Sequence, residues 1–282
     1  MIGGKTALYG VVGWPVGHSL SPAMQNAAFA FHGLDAAYLA LPVEPLALEM
    51  ALRGAHALGF QGLNVTIPHK QAAAAVCARL DPVAAACGAA NTLRRAEQGW
   101  EGFNTDATAL SQLFDGAGVR AGAAVLVIGA GGAARAAGWA ALKVGARLRV
   151  TARRREQAEA LCAALTGSAG AGAPRPEVVE WGSLAEASRA AEVVVNGTSI
   201  GLQGQPAALP GVSLRAGQVA LDMVYGATLF SHQAAAAGAK VVRGEELLVR
   251  QGALAFNLWT GRPAPEAVMV AALHAATEAS HR

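Results

Sequence analysis

Short apolar runs alternate along the chain with longer Ala-rich stretches of helical period, and turn-forming residues punctuate most junctions. Ala7–Trp14, Tyr38–Val43 and Gly62–Ile67 read as strands. Ser21-Pro22 sets an N-cap before a proline at the first helical position, and Gly33 closes that helix. A further helix starts near Pro45, and Asp81-Pro82 opens another with the same signature. Thr92–Phe103, interrupted by Glu97-Gln98-Gly99, predicts a hairpin. Near residue 104 the texture changes. Strand Val125–Ile128, a Gly-rich turn, helix Ala133–Val144 and strand Arg147–Thr151 follow. Next come a helix from about Glu156, a Gly/Ala/Pro-rich loop at Gly167–Pro176, and strands at Val178–Glu180, Val193–Val195 and Val219–Met223. Two helices, Glu245–Thr260 and Pro265–Ser280, end the pattern. Such alternation predicts an α/β protein with largely parallel sheets, and no solenoid period intrudes.

Composition narrows the class. Over 282 residues, 53% are hydrophobic and 15% charged, which excludes a disordered chain. Alanine supplies much of that apolar content. The longest uncharged apolar stretch, Ala121 to Ala134, is too short for a bilayer and carries several glycines, so no membrane role is expected. The apolar Ala7–Trp14 run soon meets Pro15 and His18, unlike a signal peptide. Three cysteines, Cys77, Cys87 and Cys162, lack metal-ligand spacing and cannot all pair internally, which points to a reducing cytoplasm and to no metal. A net charge of +3, scattered along the chain, gives no footprint for nucleic acid.

The first chemical signal is Gly129-Ala130-Gly131-Gly132-Ala133-Ala134, set between a strand and a helix. This is the dinucleotide fingerprint of a Rossmann-type domain: the first glycine permits the tight turn, and the second lets backbone approach a pyrophosphate. Backbone N–H groups and the positive helix end then hold that anion. An NAD-binding chain places an acidic residue at the end of the next strand, to hold the ribose. Here that place reads Thr151-Ala152-Arg153-Arg154-Arg155, with no acid before Glu156. Guanidiniums suit a 2′-phosphate, so the cofactor expected is NADP.

The other half carries polar clusters. Asn64 and Thr66 lie on one face of a strand that Pro68 ends, which brings Lys70 out near its C-terminal edge, where parallel sheets bind ligands. Alone, a lysine after a strand is a surface charge. His18-Ser19-Leu20-Ser21 at a strand-to-helix turn, Asn91-Thr92 at the hairpin and Asn104-Thr105-Asp106 where the halves join change that reading. His69 reads as a strand-end surface residue, and His32 and His56 as helical residues without an obvious partner. Asp222 reads as a loop brace, and Phe256 and Trp259 as core.

These segments together resemble the shikimate dehydrogenase family. HSLSP at His18–Pro22, NVTIPHK at Asn64–Lys70, AANT at Ala89–Thr92 and GFNTD at Gly102–Asp106 carry the resemblance. So do GAGGAAR at Gly129–Arg135, NGTSIG at Asn196–Gly201, DMVY at Asp222–Tyr225 and QGALAFNLWTG at Gln251–Gly261. The resemblance implies an NADP-dependent oxidoreductase that reversibly reduces 3-dehydroshikimate to shikimate. It implies Lys70 and Asp106 as the catalytic pair, and Ser19 and Ser21 on the substrate carboxylate. Asn64, Thr66, Asn91, Asp106 and Gln251 fall on the ring hydroxyls, with Tyr225 between substrate and nicotinamide. Gly129, Ala130, Gly131, Gly132, Ala133, Arg153, Arg154, Thr198 and Met223 make up the cofactor set. The chain departs from the family pattern at Ala152-Arg153-Arg154, where Asn-Arg-Thr is usual, and at Gln25, Ala227 and Leu248, where His, Pro and Met are common. A quinate dehydrogenase shares the scaffold, and a non-catalytic NADP sensor could keep it; the paired serines and arginines favour shikimate with NADP, and Lys70 with Asp106 argues against the sensor. Two domains are expected: residues 1–103 with 240–282 for substrate, and 104–239 for NADP, in a monomer or homodimer.

Overall fold

The computed structural model describes residues 2–168, 174–202, 209 and 211–280. The chain forms two units, Met1–Thr105 with Leu248–Arg282, and Asp106–Leu247.

In the first unit, strand β1 (Ala7–Gly13) leads to helix α1 (Ser21–Phe31) and strand β2 (Ala36–Pro42). Helix α2 (Leu48–Ala57), strand β3 (Gly62–Val65), helix α3 (Lys70–Val76), strand β4 (Arg79–Leu80) and helix α4 (Pro82–Cys87) follow. Strands β5 (Thr92–Ala96) and β6 (Gly99–Phe103) form the expected hairpin. The sheet order is β2-β1-β3-β5-β6-β4. The β1 pairings with β2 and β3 are parallel, whereas β5 runs antiparallel to both β3 and β6. Period-two alternation divides this sheet between two cores. Val12, Leu63 and Val65 pack with Leu48, Leu52 and Ala73 on one face. Tyr9, Val11 and Tyr38 pack with Met24, Phe29, Phe256, Met269 and Leu273 on the other. Those last residues come from α1 and from helices α10 (Gly244–Thr260) and α11 (Glu266–Ser280).

The second unit begins in helix α5 (Thr105–Ala117). It continues through β7 (Ala124–Ile128), α6 (Gly132–Lys143), β8 (Arg147–Thr151), α7 (Arg155–Ser168) and β9 (Glu177–Val178). Helix α8 (Leu184–Ala190), β10 (Val193–Asn196), β11 (Val219–Asp222), α9 (Leu229–Ala236) and β12 (Lys240–Val242) complete it. All its strand pairs are parallel, in the order β12-β11-β10-β7-β8-β9. Counted within the unit, this is the 3-2-1-4-5-6 order of a Rossmann fold, read from the opposite edge. Ligands of such sheets bind where the order reverses, here between β7 and β10.

Several expectations need correction. Ser21 is not the N-cap of α1; Leu20 holds that position, and the Ser21 N–H donates to Ser19 Oγ at 3.3 Å. The Ser19 hydroxyl thereby satisfies a first-turn donor, and the helix starts one residue earlier. By contrast Asp81 caps α4 as expected, accepting from the Ala84 N–H at 2.7 Å. Helices α3, α5, α8 and α9 and strands β4 and β12 escaped the pattern. Helices α3, α8 and α9 are short and carry no apolar stripe against a polar face, a two- or three-residue strand shows no alternation, and α5 was passed over although Ala107, Leu110, Leu113 and Phe114 form a stripe at helical spacing. The unit boundary also moves. Lys240–Val242 pairs with β11, so residues 240–247 belong to the second unit and the boundary falls inside α10. Half of the predicted Gly167–Pro176 loop, residues 169–173, lies outside the described residues, and residues 167 and 168 belong to α7.

Candidate active site

In the first unit Asn64 and Thr92 lie on the sheet face that carries α1 and α10, whereas α3, which Lys70 begins, packs on the other face. Asn64 lies in register with Val11, and both ends of its amide are bonded. Its Oδ1 accepts from the Tyr38 hydroxyl at 2.6 Å. Its Nδ2 donates to the Asn91 carbonyl at 3.2 Å and to Thr92 Oγ1 at 3.0 Å. Asn91 continues the network: its Nδ2 donates to Thr105 Oγ1 at 3.0 Å and to Gln251 Oε1 at 3.3 Å, and its Oδ1 accepts from the Thr105 N–H at 2.7 Å. Gln251 in turn donates to the Leu248 carbonyl at 2.8 Å. Thr92 and Thr105 share a hydroxyl–hydroxyl bond of 2.9 Å. Asn64, Asn91, Thr92, Thr105 and Gln251 are all buried. A buried polar group without partners is costly, so a network this complete holds one geometry.

Lys70 follows β3 and is the first residue of α3. The turn before it is tied down. The His69 N–H donates to the Thr66 carbonyl at 2.9 Å, the Trp14 N–H to the Ile67 carbonyl at 3.0 Å, and the Ala90 N–H to the Lys70 carbonyl at 2.9 Å. His69 is not a surface residue. It is 2% exposed, with Nε2 2.7 Å from the Val43 carbonyl, and so anchors the turn from behind. His32 and His56 also have partners, the carbonyls of Pro263 and Ala96, each at 2.9 Å. Ser19 and Ser21 stand at the start of α1, whose first-turn N–H groups favour an anion. Burial lowers the His18 pKa, so its ring there is neutral near pH 7.

In the second unit, Asp106 is the second residue of α5 and is buried. The glycine turn meets the demands of a dinucleotide. Gly129 has φ +112°, and a Cβ on it would lie 2.9 Å from the Gly197 carbonyl oxygen. Gly131, the N-cap of α6, would have nothing within 4 Å of an added Cβ, and no side chain caps the helix there. Ala130, Gly132 and Ala133 complete a turn whose N–H groups are left for an anion. At the end of β8, Arg153 and Arg154 are exposed and make no ion pair among the described residues. Arg155 is different. It pairs with Glu159 at 2.7 Å and with Glu180, which removes it from the three-arginine cluster expected. These residues fit NADP, since exposed guanidiniums suit a phosphate and a carboxylate in their place would repel it.

Asn196 and Asp222 lie opposite each other in the β10–β11 register. Asp222 Oδ1 accepts from Asn196 Nδ2 at 2.9 Å and from the Val224 N–H at 3.1 Å, and its Oδ2 accepts from the Thr228 hydroxyl. It braces the strand ends, as expected, and burial raises its pKa. Asn196 Oδ1 accepts from the Thr198 N–H and hydroxyl at 3.1 and 2.7 Å, which fixes the turn carrying Thr198. Met223, half-buried, follows β11. Burial pushes Tyr225 up to about 12, so its phenol stays protonated and serves as a hydrogen-bonding group, not a base. Cys77 and Cys162, both raised to about 11, are unreactive thiols. Among the described residues, no group of three or more His, Cys, Asp or Glu side chains could hold a metal ion.

The sequence passed over Tyr38 and the linking roles of Thr92 and Thr105. The two threonines stood inside the recognised motifs; Tyr38 gave no local signal, because its bond to Asn64 depends on strand order.

Known proteins match this chain along nearly its whole length. The family model of the shikimate dehydrogenase substrate-binding domain matches residues 11–93, and that of the shikimate 5′-dehydrogenase C-terminal domain matches residues 244–274. The chain is 60% identical over 277 residues to the shikimate dehydrogenase (NADP(+)) of Anaeromyxobacter sp. strain K, covering 98% of each. A crystal structure of a shikimate dehydrogenase in complex with NADP+ superposes with a TM-score of 0.88 at 33% identity, covering 98% of this chain and 97% of that one. The shikimate 5-dehydrogenase of Thermus thermophilus, in complex with NADP(H) and shikimate, gives 0.82 at 34% identity, covering 96% and 100%.

Proposed function

The chain belongs to the shikimate dehydrogenase family and is an NADP-dependent oxidoreductase acting on a CH–OH group; within that activity we infer that Lys70 and Asp106 handle the proton as 3-dehydroshikimate and shikimate interconvert. The near-full-length match to an NADP-dependent shikimate dehydrogenase carries the activity. Hydride is the chemistry that bound NADPH supplies. With the cofactor bound, Lys70 as an ammonium would donate the proton that turns the substrate oxygen into a hydroxyl, and its charge would stabilise that oxygen beforehand. In the reverse direction the Lys70 amine takes the hydroxyl proton, and the Asp106 carboxylate orients the same hydroxyl. What supports this role is the pinned turn before Lys70: an acid held by neighbouring backbone bonds loses little freedom on meeting its substrate.

Ser19 and Ser21 bind the carboxylate at the start of α1, and Asn64, Thr66 and Gln251 hold the ring hydroxyls. Asn91 contributes chiefly by fixing Thr105 and Gln251, since most of its bonding capacity is already used. Gly129 to Ala133 take the pyrophosphate, Arg153 and Arg154 the 2′-phosphate, and Thr198, Met223 and Tyr225 flank the nicotinamide. The enzyme works in the cytoplasm, as a monomer or homodimer. Assaying purified enzyme with shikimate and with quinate, each with NADP and NAD, tests the reading. Turnover is expected with shikimate and NADP at a kcat/KM far above the other three pairs. Preference for quinate, or no turnover with either acid, overturns it.

A further inference from the structure

We propose that Tyr38 is a positioning residue for substrate binding, which locks the Asn64 amide so that its oxygen is presented to a donating ring hydroxyl. The inference rests on the reading that Ser21 and Asn64 bind the substrate.

Tyr38 is 1% exposed, and its ring stands 6.2 Å from that of Trp259, centroid to centroid. Its backbone is gripped from both sides by Asn26 of α1. The Tyr38 N–H donates to Asn26 Oδ1 at 2.8 Å, and Asn26 Nδ2 donates to the Tyr38 carbonyl at 3.0 Å. The phenol therefore has a fixed origin. It donates to Asn64 Oδ1, and the Ser21 side chain interacts with the same hydroxyl. One buried group thus touches a residue assigned to the carboxylate and a residue assigned to the ring.

The amide cannot turn over. Both Nδ2 protons of Asn64 are committed, one to a carbonyl and one to a hydroxyl. A flip would set Oδ1 against the Asn91 carbonyl, acceptor to acceptor, and would turn the Tyr38 hydroxyl from donor to acceptor. Asn64 is left with acceptor capacity on Oδ1 alone, so it selects a ligand hydroxyl that donates. Burial holds the Tyr38 pKa well above the ordinary tyrosine range, so the phenol keeps its donor proton throughout the working range.

The experiment is Tyr38→Phe in the full enzyme, with KM for shikimate, KM for NADP, kcat and Tm measured together. Removing one buried hydrogen bond is expected to raise KM for shikimate about five- to tenfold, with kcat within about twofold and KM for NADP unchanged. In an Asn64→Ala background the same substitution is expected to raise KM by less than about twofold, because only the contact with Ser21 still links the phenol to the substrate residues. A fall in Tm with unchanged KM for shikimate overturns the proposal, as does a penalty that adds in full to that of Asn64→Ala. If Asn64→Ala and Ser21→Ala themselves leave KM for shikimate unchanged, the underlying substrate-site reading fails instead, and the proposal falls with it.

Discussion

Asp222 shows how much one side chain can hold. Its carboxylate accepts from Asn196, from Thr228 and from the Val224 N–H, at the ends of two adjacent strands. Asp222→Ala strands those buried donors, and a destabilisation of about 2–4 kcal/mol is expected, read as a lower Tm. Its pH dependence has a defined sign. Burial raises the pKa, so the native state favours the protonated acid. That contribution is complete below the ordinary carboxylate pKa and is lost as pH climbs through the raised value. Asp222→Asn cannot ionise and should flatten this limb of the stability profile; a limb of unchanged slope in that variant assigns it to other groups. A brace was legible in the sequence, because Asp222 follows an apolar strand within a motif. The reversal at His69 was not, because a histidine after a proline looks the same locally whether or not Val43 lies against it.

Among the elements, the β7–α6 turn separates what a glycine does for the fold from what it does for a ligand. Gly129 has a positive φ and no room for a Cβ beside Gly197; Gly131 has an ordinary φ of −77° and open space. Gly129→Ala is therefore expected to lower Tm and weaken NADP binding together. Gly131→Ala should leave Tm within about 1 °C while NADP binding weakens at least tenfold, because the added methyl occupies space that a pyrophosphate needs. Calorimetry and titration with NADP distinguish the two; equal Tm losses would show that both glycines serve the fold. This turn was readable because strand, glycines and helix are contiguous in sequence. Helix α3 was not, though it carries Lys70. Four of its seven residues are alanine, and only packing of Ala73 and Ala74 into the core beside Leu52 and Leu63 makes them a helix.

Across the full chain, the division into two units predicts reciprocal phenotypes. Lys70 belongs to the first unit and the arginines after β8 to the second. Lys70→Ala is expected to lower kcat by about 10²-fold or more while NADPH affinity changes less than about twofold. Replacing Arg153 and Arg154 together with Ala should weaken NADPH far more than NADH, since only the former carries the 2′-phosphate. Near-normal turnover in the first variant, or equal losses for both cofactors in the second, contradicts these assignments. The α/β class, the fingerprint turn, the hairpin and the clusters of amides and hydroxyls could all be read from residue order, because each is written in neighbouring residues by period, turn chemistry or motif. Long-range packing was needed to show that Lys240–Val242 completes the second sheet, that Arg155 pairs with Glu159 and Glu180, and that the Tyr38 hydroxyl bonds Asn64. Each of these depends on which distant strand or helix lies alongside, and parallel pairing leaves no local trace of its partner.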